Sequence, residues 1–257
     1  MTFIPKLGKT AAKFDPYEPR MKDYIKSSYT PPPYAQNTYG ITSWGMMLNG
    51  PNNYGENVPT DGIGDCTIAA PGHAIQVWTK GKITPPDSLI LAKYEEWDGY
   101  VLGNPNTDNG GDESTVLKRW YQQTFGGHVL EAYVSPQPQN FGHIMHSVAE
   151  FGGVYIGLQV PYSAIIQNQN GKIWDVVKHD GGIVGGHAVY CPAYHVKDTN
   201  AGGATTITCI TWGQLQKMTV AFWDKYCDES HTLLGAAWDP AGFDAAQLKA
   251  DLLSVAG

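Results

Sequence analysis

The chain has few charged residues and no run of basic ones. Lys and Arg number 17 against 24 Asp and Glu, so the formal net charge is −7, and charged residues make up only 16% of the 257 residues. Proteins that bind nucleic acids present clustered Lys and Arg side chains to the phosphate backbone. We therefore expect no nucleic-acid partner.

Long apolar runs are also missing. No stretch approaches the roughly 18 consecutive apolar residues that a membrane-spanning helix needs. Residues 1–16 carry scattered charges and no continuous apolar segment of the kind found in secretory signals. These absences predict a protein without membrane contact, located in the cytoplasm by default, with release from the cell or association with a particle left open.

Cysteine is scarce. The sequence contains only four, at positions Cys66, Cys191, Cys209 and Cys227. This number and this uneven spacing do not make a disulfide framework. Cys191 and Cys209 flank a predicted hairpin and could pair, but free buried thiols are the preferred interpretation.

Metal-binding patterns are incomplete. The loop 106–113 is rich in Asn and Asp but lacks the ligand spacing and the terminal Glu of an EF-hand calcium loop, so turn formation explains its composition. His143 and His146 lie three residues apart on a predicted helix, yet no Cys, Asp or Glu cluster completes a site. We expect no metal and no cofactor.

What the chain does contain is enough apolar material for a core. Hydrophobic residues make up 42% of its length, which is typical of a globular domain. The first 60 residues are rich in Pro, Tyr, Asn and Gly, a composition that favours extended or looped chain on the surface. We assign residues 1–30 to an N-terminal extension and 31–257 to a single domain.

Helical patterns precede strand patterns along this domain. Apolar spacing predicts three helices, over 67–80, 114–125 and 139–151. Period-two alternation and β-branched content predict strands over 154–160, 187–194, 205–212 and 217–223, and a closing helix over 244–255. Helices followed by antiparallel strands indicate an α+β fold, with a helical lobe over about 60–150 and a β-rich lobe over about 151–240.

Cys66 is the residue with the most specific chemistry. It comes directly before the first predicted helix, and Gly186-His187-Ala188-Val189 follows about 120 residues later. Unpaired N–H groups at a helix N-terminus lower the pKa of a thiol, and a neighbouring imidazole relays its proton. Cys66 and His187 are therefore a candidate nucleophile and base.

Five short segments then occur in a recognisable order between residues 31 and 225. They are Gly64-Asp65-Cys66, Asp108-Asn109-Gly110-Gly111, Phe151-Gly152-Gly153-Val154-Tyr155-Ile156-Gly157, Gly186-His187-Ala188-Val189, and the stretch from Thr208 to Gly213. In this order the chain resembles the papain-like cysteine peptidase superfamily. The matches are individually short, and their order along the chain carries the resemblance.

The resemblance implies a two-lobe papain-like fold and a set of site residues. Cys66 is expected to be the nucleophile, His187 the base and acid, and Gly110 and Gly111 a cleft wall that binds substrate backbone. Asp65 and Trp212 are the further candidates for substrate binding. The few residues ahead of the domain imply no inhibitory N-terminal domain of the family's usual size, and a segment such as 14–24 is expected to lie at most along the surface.

Two positions depart from the family pattern. The family places an oxyanion-stabilising Gln six residues before the nucleophile, and this position holds Thr60. Aligning Trp212 with the family's Trp-Gly places Ile210 where an Asn orients the catalytic His. Isoleucine has no polar atom for an imidazole, so another residue must take this role.

Thr211 is the nearest polar candidate to orient His187. On a regular strand it faces away from the side that Ile210 occupies, so we expect that only a bulge or a shifted register would bring it to the ring. Gln214 and Asp175 are the other candidates. A Cys/His dyad without a good third member still turns over, more slowly.

Three functions remain open from the sequence. The leading hypothesis is a thiol hydrolase that cleaves peptide or related amide bonds, so the expected partner is a peptide or protein substrate. The second is a catalytically impaired papain-fold protein with a binding or structural role, for instance in a particle or surface assembly, which Thr60 and Ile210 favour. The third is an acyl transferase or amidase with the same dyad. The oligomeric state is not predicted.

Overall fold

A computed structural model describes residues 5–13, 15–45, 62–136, 140–236, 238 and 240–256. The helices within these ranges are α1 (Cys66–Trp78), α2 (Asp87–Asp98), α3 (Glu113–Gln122), α4 (Phe141–Phe151), α5 (Tyr162–Gln169), α6 (Val220–Tyr226) and α7 (Ala245–Ala256). The strands are β1 (Tyr34–Gln36), β2 (Leu130–Val134), β3 (Val154–Pro161), β4 (Ile183–Asp198), β5 (Ala204–Thr211), β6 (Gln214–Thr219) and β7 (Cys227–Gly235). The α+β fold class is therefore confirmed.

Local sequence explains where the central helices begin and end. The side chain of Asp112 accepts a hydrogen bond from the Thr115 amide at the start of α3, and Asn140 does the same for the His143 amide at the start of α4. Gly152 follows α4 in a left-handed conformation, which a glycine adopts without a steric penalty. These caps hold α3 and α4 at fixed ends.

One antiparallel sheet runs through the molecule in the order β2-β7-β3-β4-β5-β6, and β1 pairs with residues 193–195 of β4. The long strand β4 pairs with β3 along residues 183–191 and with β5 around Tyr190 and Ile210. Helix α1 packs against β4, so the N-terminal residue of α1 lies beside that strand. This contact positions the candidate nucleophile.

Alternate residues of the sheet face two separate cores. Ala188 and Tyr190 of β4 belong to the core that α1, α2 and α3 cover, whereas Val189 and Cys191 belong to the core on the other side. This is the period-two alternation expected of a strand that is buried on both faces. The two faces decide which side chains of β5 meet His187.

Several predicted elements differ from the observed ones. The stretch 217–223 was expected to be a strand, but β6 ends at Thr219, whose side chain caps α6 by accepting from the Phe222 amide. The apolar residues at its end therefore belong to a helix. Sequence patterns did not predict α2, α5, β2 or β7. The four cysteines are free and buried.

The composition of the N-terminal region predicts that it lies on the surface, but some of its residues are buried. Met21 and Tyr24 are buried in the first core, and Lys9 is 6% exposed. Extended chain without regular structure is still buried when its backbone finds hydrogen-bond partners. The assignment of residues 1–30 to an extension and 31–257 to one domain stays a prediction.

Among the described residues, no helix is both long and apolar enough to cross a bilayer.

Candidate active site

Cys66 is the first residue of α1, as the sequence predicts. Its side chain is 1% exposed, and its Sγ accepts a hydrogen bond from the backbone N–H of Ala188 at 3.4 Å. Ala188 directly follows His187 on β4. The fold therefore brings together the helix start and the strand that carry the two candidate catalytic residues, although 120 residues separate them.

His187 is held by two neighbours from the β5–β6 hairpin. Its Nε2 lies 2.7 Å from Thr211 Oγ1, and its ring stacks on Trp212 with a centroid distance of 5.0 Å and an interplanar angle of 17°. The ring is 1% exposed. Its Nδ1 has no hydrogen-bond partner among the described residues. We call Cys66, His187 and Thr211 the thiol cluster.

The contact of Thr211 with His187 follows from the pairing of β4 with β5, whose register shifts between Tyr190 and Ala193. Ile210 pairs with Tyr190 across β4 and β5, and both side chains lie in the first core. His187 is three residues before Tyr190 and therefore points to the opposite face of the sheet, which is the face of Thr211. Thr211 therefore meets the imidazole, whereas Ile210 faces the first core.

Trp212 reaches the imidazole because it leaves the strand. It has a φ of 48° and Gly213 a φ of 76°, so these two residues form the tight turn between β5 and β6. Such a turn needs positive φ at both positions. The turn places the indole over the ring of His187. If β5 continued as a regular strand, the indole would point away from this ring.

An unexpected segment covers this cluster. The backbone N–H of Lys9 donates to the carbonyl of Gly186 at 3.0 Å on one side. On the other side, the Gly111 amide donates to the carbonyl of Gly8 at 2.8 Å, and the Thr10 amide donates to the carbonyl of Gly111 at 2.9 Å. Residues 5–13, which we call the N-terminal segment, therefore run between two walls of a cleft and pair with both.

Three glycines around the segment and one glycine within it allow this close approach. A Cβ atom built on Gly110, Gly157 or Gly186 would lie within 2.3 Å of an atom of Gly8 or Lys9. A Cβ atom on Gly8 would lie 1.8 Å from the carbonyl oxygen of Gly64, next to the thiol. Heavier side chains at these positions would exclude the segment, so the cleft fits a peptide backbone closely.

Burial controls the protonation of the thiol cluster. Burial raises the pKa of Cys66 to about 12, and the nearby carboxylate of Asp65 acts in the same direction, against the amides of Ala188 and Gly8. Burial also lowers the pKa of His187 to about 3. Both groups are neutral at pH 7 in this state. Sequence reasoning expected the helix N-terminus to lower the thiol pKa, and burial outweighs this effect.

The other candidate residues have varied positions. Gly111 pairs with the N-terminal segment, Gly110 lies against Gly8, and Asp65 is fully buried. Asp175 accepts from Thr219 Oγ1 at 2.8 Å and Gln214 is exposed at the start of β6, so neither meets His187. Thr60 lies outside the described residues. Sequence reasoning missed the N-terminal segment, for which no motif gave a signal.

Comparisons of the sequence with known protein families and with characterised proteins find no match. Solved structures do share the fold. Xylellain, a cysteine protease from Xylella fastidiosa, superposes with a TM-score of 0.59 at 14% identity, over 90% of this chain and 96% of its own. ProCathepsin B S9 from Trypanosoma congolense gives 0.56 at 9% identity, over 89% and 86%. Digestive procathepsin L 3 of Tenebrio molitor larval midgut gives 0.53 at 9% identity, over 91% and 77%.

These likenesses are structural, because the identities are too low to carry more than the fold. The chain has the papain-like fold, and the resemblance that its motifs indicate is confirmed at that level. Its activity does not follow from the fold alone.

Proposed function

We propose that the chain is a papain-like thiol hydrolase of peptide or related amide bonds. Cys66 is the nucleophile, His187 the base and then the acid, and Thr211 a positioning residue. The observation that carries this proposal is the meeting of a thiol at a helix start with a strand whose histidine has one nitrogen bound to Thr211 and the other unpartnered among the described residues.

The hydrogen bond between His187 and Thr211 is compatible with the tautomer that the reaction requires, because a hydroxyl can accept as well as donate. When the hydroxyl of Thr211 accepts from Nε2–H, the lone pair of Nδ1 is left to take the thiol proton. The thiolate then attacks the substrate carbonyl, and the imidazolium protonates the departing amine. Water, deprotonated by the same nitrogen, hydrolyses the thioester and restores the thiol.

The helix start supplies the electrostatic part of the site. The N–H of Cys66 belongs to the first turn of α1, whose amides have no acceptor inside the helix. It is therefore the candidate donor to the oxyanion that forms on the substrate carbonyl. The pairing of Gly111 with the N-terminal segment supports the same residue as the group that binds the backbone of a substrate.

The proposal requires the N-terminal segment to leave the cleft. Cys66 and His187 are each only 1% exposed while it is seated, and no hydrogen bond joins them within the described part of the chain. When water replaces the segment, the burial that holds both groups neutral is relieved, and an ion pair between them becomes favourable.

A binding role without catalysis is the second candidate. The observation that favours it is the neutral state of both groups, with a thiol pKa of about 12 and an imidazole pKa of about 3. If the segment is a permanent part of the fold, this state persists and the thiol stays inert.

Alkylation of Cys66 in the full chain separates these candidates. Gly8→Val is the variant to use, because a side chain at Gly8 collides with Gly64 and expels the segment. Ala11→Val, in the same segment but exposed, is the matched control. Iodoacetamide labelling, located by peptide mass spectrometry because four thiols are present, gives the rate at each pH.

We expect Gly8→Val to show Cys66 labelling that reaches its plateau well below pH 8, and to lose it when His187→Ala is added. Loss of the base is also expected to slow hydrolysis of fluorogenic peptides by roughly 10²–10⁴-fold, with Cys66→Ala as the blank. Labelling that rises only near the free-thiol pKa of about 8.5, independent of His187, would instead establish the binding role.

A further inference from the structure

Lys9 fills a closed acidic pocket beside the thiol cluster. Its Nζ lies 2.7 Å from Glu229 Oε1 and 3.0 Å from Asp228 Oδ1, and its side chain has no exposed surface. Glu113, the first residue of α3, lies close enough to raise the pKa of Lys9 against the effect of burial. We call Glu113, Asp228 and Glu229 the cation pocket.

The cation pocket contains three acidic side chains, and His231 lies beside them as a second basic group, with its Nε2 3.6 Å from Glu229 and 3.7 Å from Glu113. Glu113 is fully buried, and neither of its carboxylate oxygens has a hydrogen-bond partner among the described residues. His231 is shared with Glu18, to which its Nδ1 is bound at 2.7 Å. A buried carboxylate without hydrogen bonds is costly unless a cation stands opposite. Burial raises the pKa of Glu113 well above its usual value, so Asp228 and Glu229, which contact Lys9 directly, are the carboxylates that indicate a site for a cationic group.

The floor of the pocket is shaped for a long side chain. A Cβ atom on Gly157 of β3 would lie 2.0 Å from Lys9 Cε. The absence of a side chain there leaves a channel from the cleft backbone to the carboxylates. The outer edge borders a cavity of about 550 Å³ that Asp228, Glu229 and His231 line. An alkyl stem with a terminal charge fits this shape.

The backbone of Lys9 is bound as a peptide in a cleft is bound. Its N–H donates to Gly186, and its neighbours Gly8 and Thr10 pair with Gly111. The side chain that enters the pocket therefore belongs to the residue whose backbone crosses the cleft next to Cys66. Any peptide that replaces the segment on the same walls presents one of its own side chains to the same pocket.

We propose that the cation pocket is a specificity site that selects peptides with a lysine or arginine side chain, and that Lys9 is its intramolecular stand-in. The inference rests on the proposed function only in calling such a peptide a substrate. Selective binding itself follows from the pocket, whether or not Cys66 reacts.

Peptide binding tests the pocket without catalysis. The full chain carrying Gly8→Val and Cys66→Ala is titrated with a labelled nine-residue peptide that copies residues 5–13, and fluorescence anisotropy reports binding. The residue matching Lys9 is varied to arginine, norleucine or glutamate. EDTA in the buffer removes any metal ion, because Glu113, Glu229 and His231 are close enough together to hold one.

We expect the lysine and arginine peptides to bind at least about tenfold more tightly than the norleucine peptide, since a close charge pair in a desolvated site contributes at least this much. Glu229→Gln in the protein should reduce this preference to less than about threefold. Equal binding of lysine and norleucine peptides, or no binding of any peptide, would overturn the proposal.

A second measurement needs no expelled segment. In the otherwise unchanged chain, Lys9→Arg should protect Cys66 from iodoacetamide as lysine does, whereas Lys9→Met should increase labelling at least about tenfold. If Lys9→Met protects Cys66 from iodoacetamide as well as lysine does, the proposed specificity of the cation pocket is wrong. A chain that hydrolyses no peptide but keeps the lysine preference refutes the hydrolase and leaves the specificity site, and hydrolysis without a basic preference does the reverse.

Discussion

The N-terminal segment covers two buried polar clusters that have opposite protonation behaviour. In the thiol cluster, burial drives the pKa of Cys66 up to about 12 and that of His187 down to about 3, so both groups are neutral. In the cation pocket, burial alone would lower the pKa of Lys9, but attraction to Glu113 and Glu229 outweighs it and the pKa is raised. Lys9 therefore stays charged.

The difference lies in what stands opposite each group. The thiol and the imidazole face amides, a hydroxyl and an indole, which do not compensate a full charge in a desolvated site. Lys9 faces carboxylates within 3.1 Å. Burial favours the neutral form of an ionisable group, and direct contact with opposite charges outweighs this effect for Lys9. One segment thereby buries a thiol and an imidazole as neutral groups and places a cation against two carboxylates.

Ile210→Asn should have the largest effect on stability, and it tests whether Ile210 lies outside the thiol cluster. Ile210 is 1% exposed in the first core, so an amide there removes apolar packing and buries unpaired polar atoms. We expect a loss of roughly 3–5 kcal/mol in the free energy of unfolding, measured by urea denaturation.

The same variant should not speed Cys66 labelling, because its amide lies on the face away from His187. Ile210→Val is the control, with an expected loss of about 0.5–1.5 kcal/mol. A stable Asn variant with faster labelling would mean that the register of β4 and β5 differs from the one described.

Lys9→Met should destabilise the chain, because it removes the charged side chain that fills the cation pocket. Removing one partner of a buried ion pair leaves carboxylates without a counter-ion, and we expect a loss of about 3 kcal/mol, the lower end of such effects, because water enters as the segment moves. Lys13→Met is the matched control, since the side chain of Lys13 is 65% exposed beside Asp112. Similar losses of unfolding free energy from Lys9→Met and Lys13→Met would contradict the conclusion that only Lys9 belongs to a buried ion pair.

Acid should lower the free energy of unfolding through the thiol cluster, whose ionisable groups are neutral when buried. The folded pKa of His187 is about 3 against an ordinary value of about 6.5, so between these pH values the unfolded chain binds a proton that the folded chain does not. Stability is therefore lost as the pH falls below about 6.5, and we expect about 2 kcal/mol between pH 7 and pH 5 from this residue.

His187→Gln should have a shallower dependence of stability on pH than the natural chain, measured by denaturation at both pH values. His73, whose pKa burial lowers to about 4, acts in the same direction in both chains and cancels from the difference. Parallel pH dependences would show that the imidazole of His187 is accessible to protons in the folded chain.

Thr211→Val should have the smallest effect on stability. It removes the partner of His187 Nε2, and we expect a loss of about 1–2 kcal/mol. In the Gly8→Val background it should also shift Cys66 labelling to higher pH, because Nε2 of His187 loses the hydrogen-bond partner that orients the ring and supports its protonated form. Thr211→Ser, which keeps the hydroxyl, should restore the profile. Failure of serine to rescue would assign Thr211 a packing role only.

Parts of the site were predictable because they depend on neighbours in sequence. Cys66 at a helix start and the strand with His187 follow from local patterns, and the structure places both in such elements. The cleft-wall role of Gly110 and Gly111 was implied only by the family resemblance and stays a prediction. The partner of His187 was less predictable. Thr211 was named, but its route to the ring depends on which residue of β4 pairs with Ile210, and pairing across strands is not written in either strand alone.

The sequence by itself determined the α+β class, the papain-like motifs and the place of Cys66 at a helix start, because periodicity and short motifs act over a few residues. Tertiary structure alone decided that the N-terminal segment lies in the cleft, that burial holds Cys66 and His187 neutral, and that Glu113 and Glu229 meet around Lys9. These residues are more than 100 positions apart in the chain, and desolvation and charge pairing depend on distance in space.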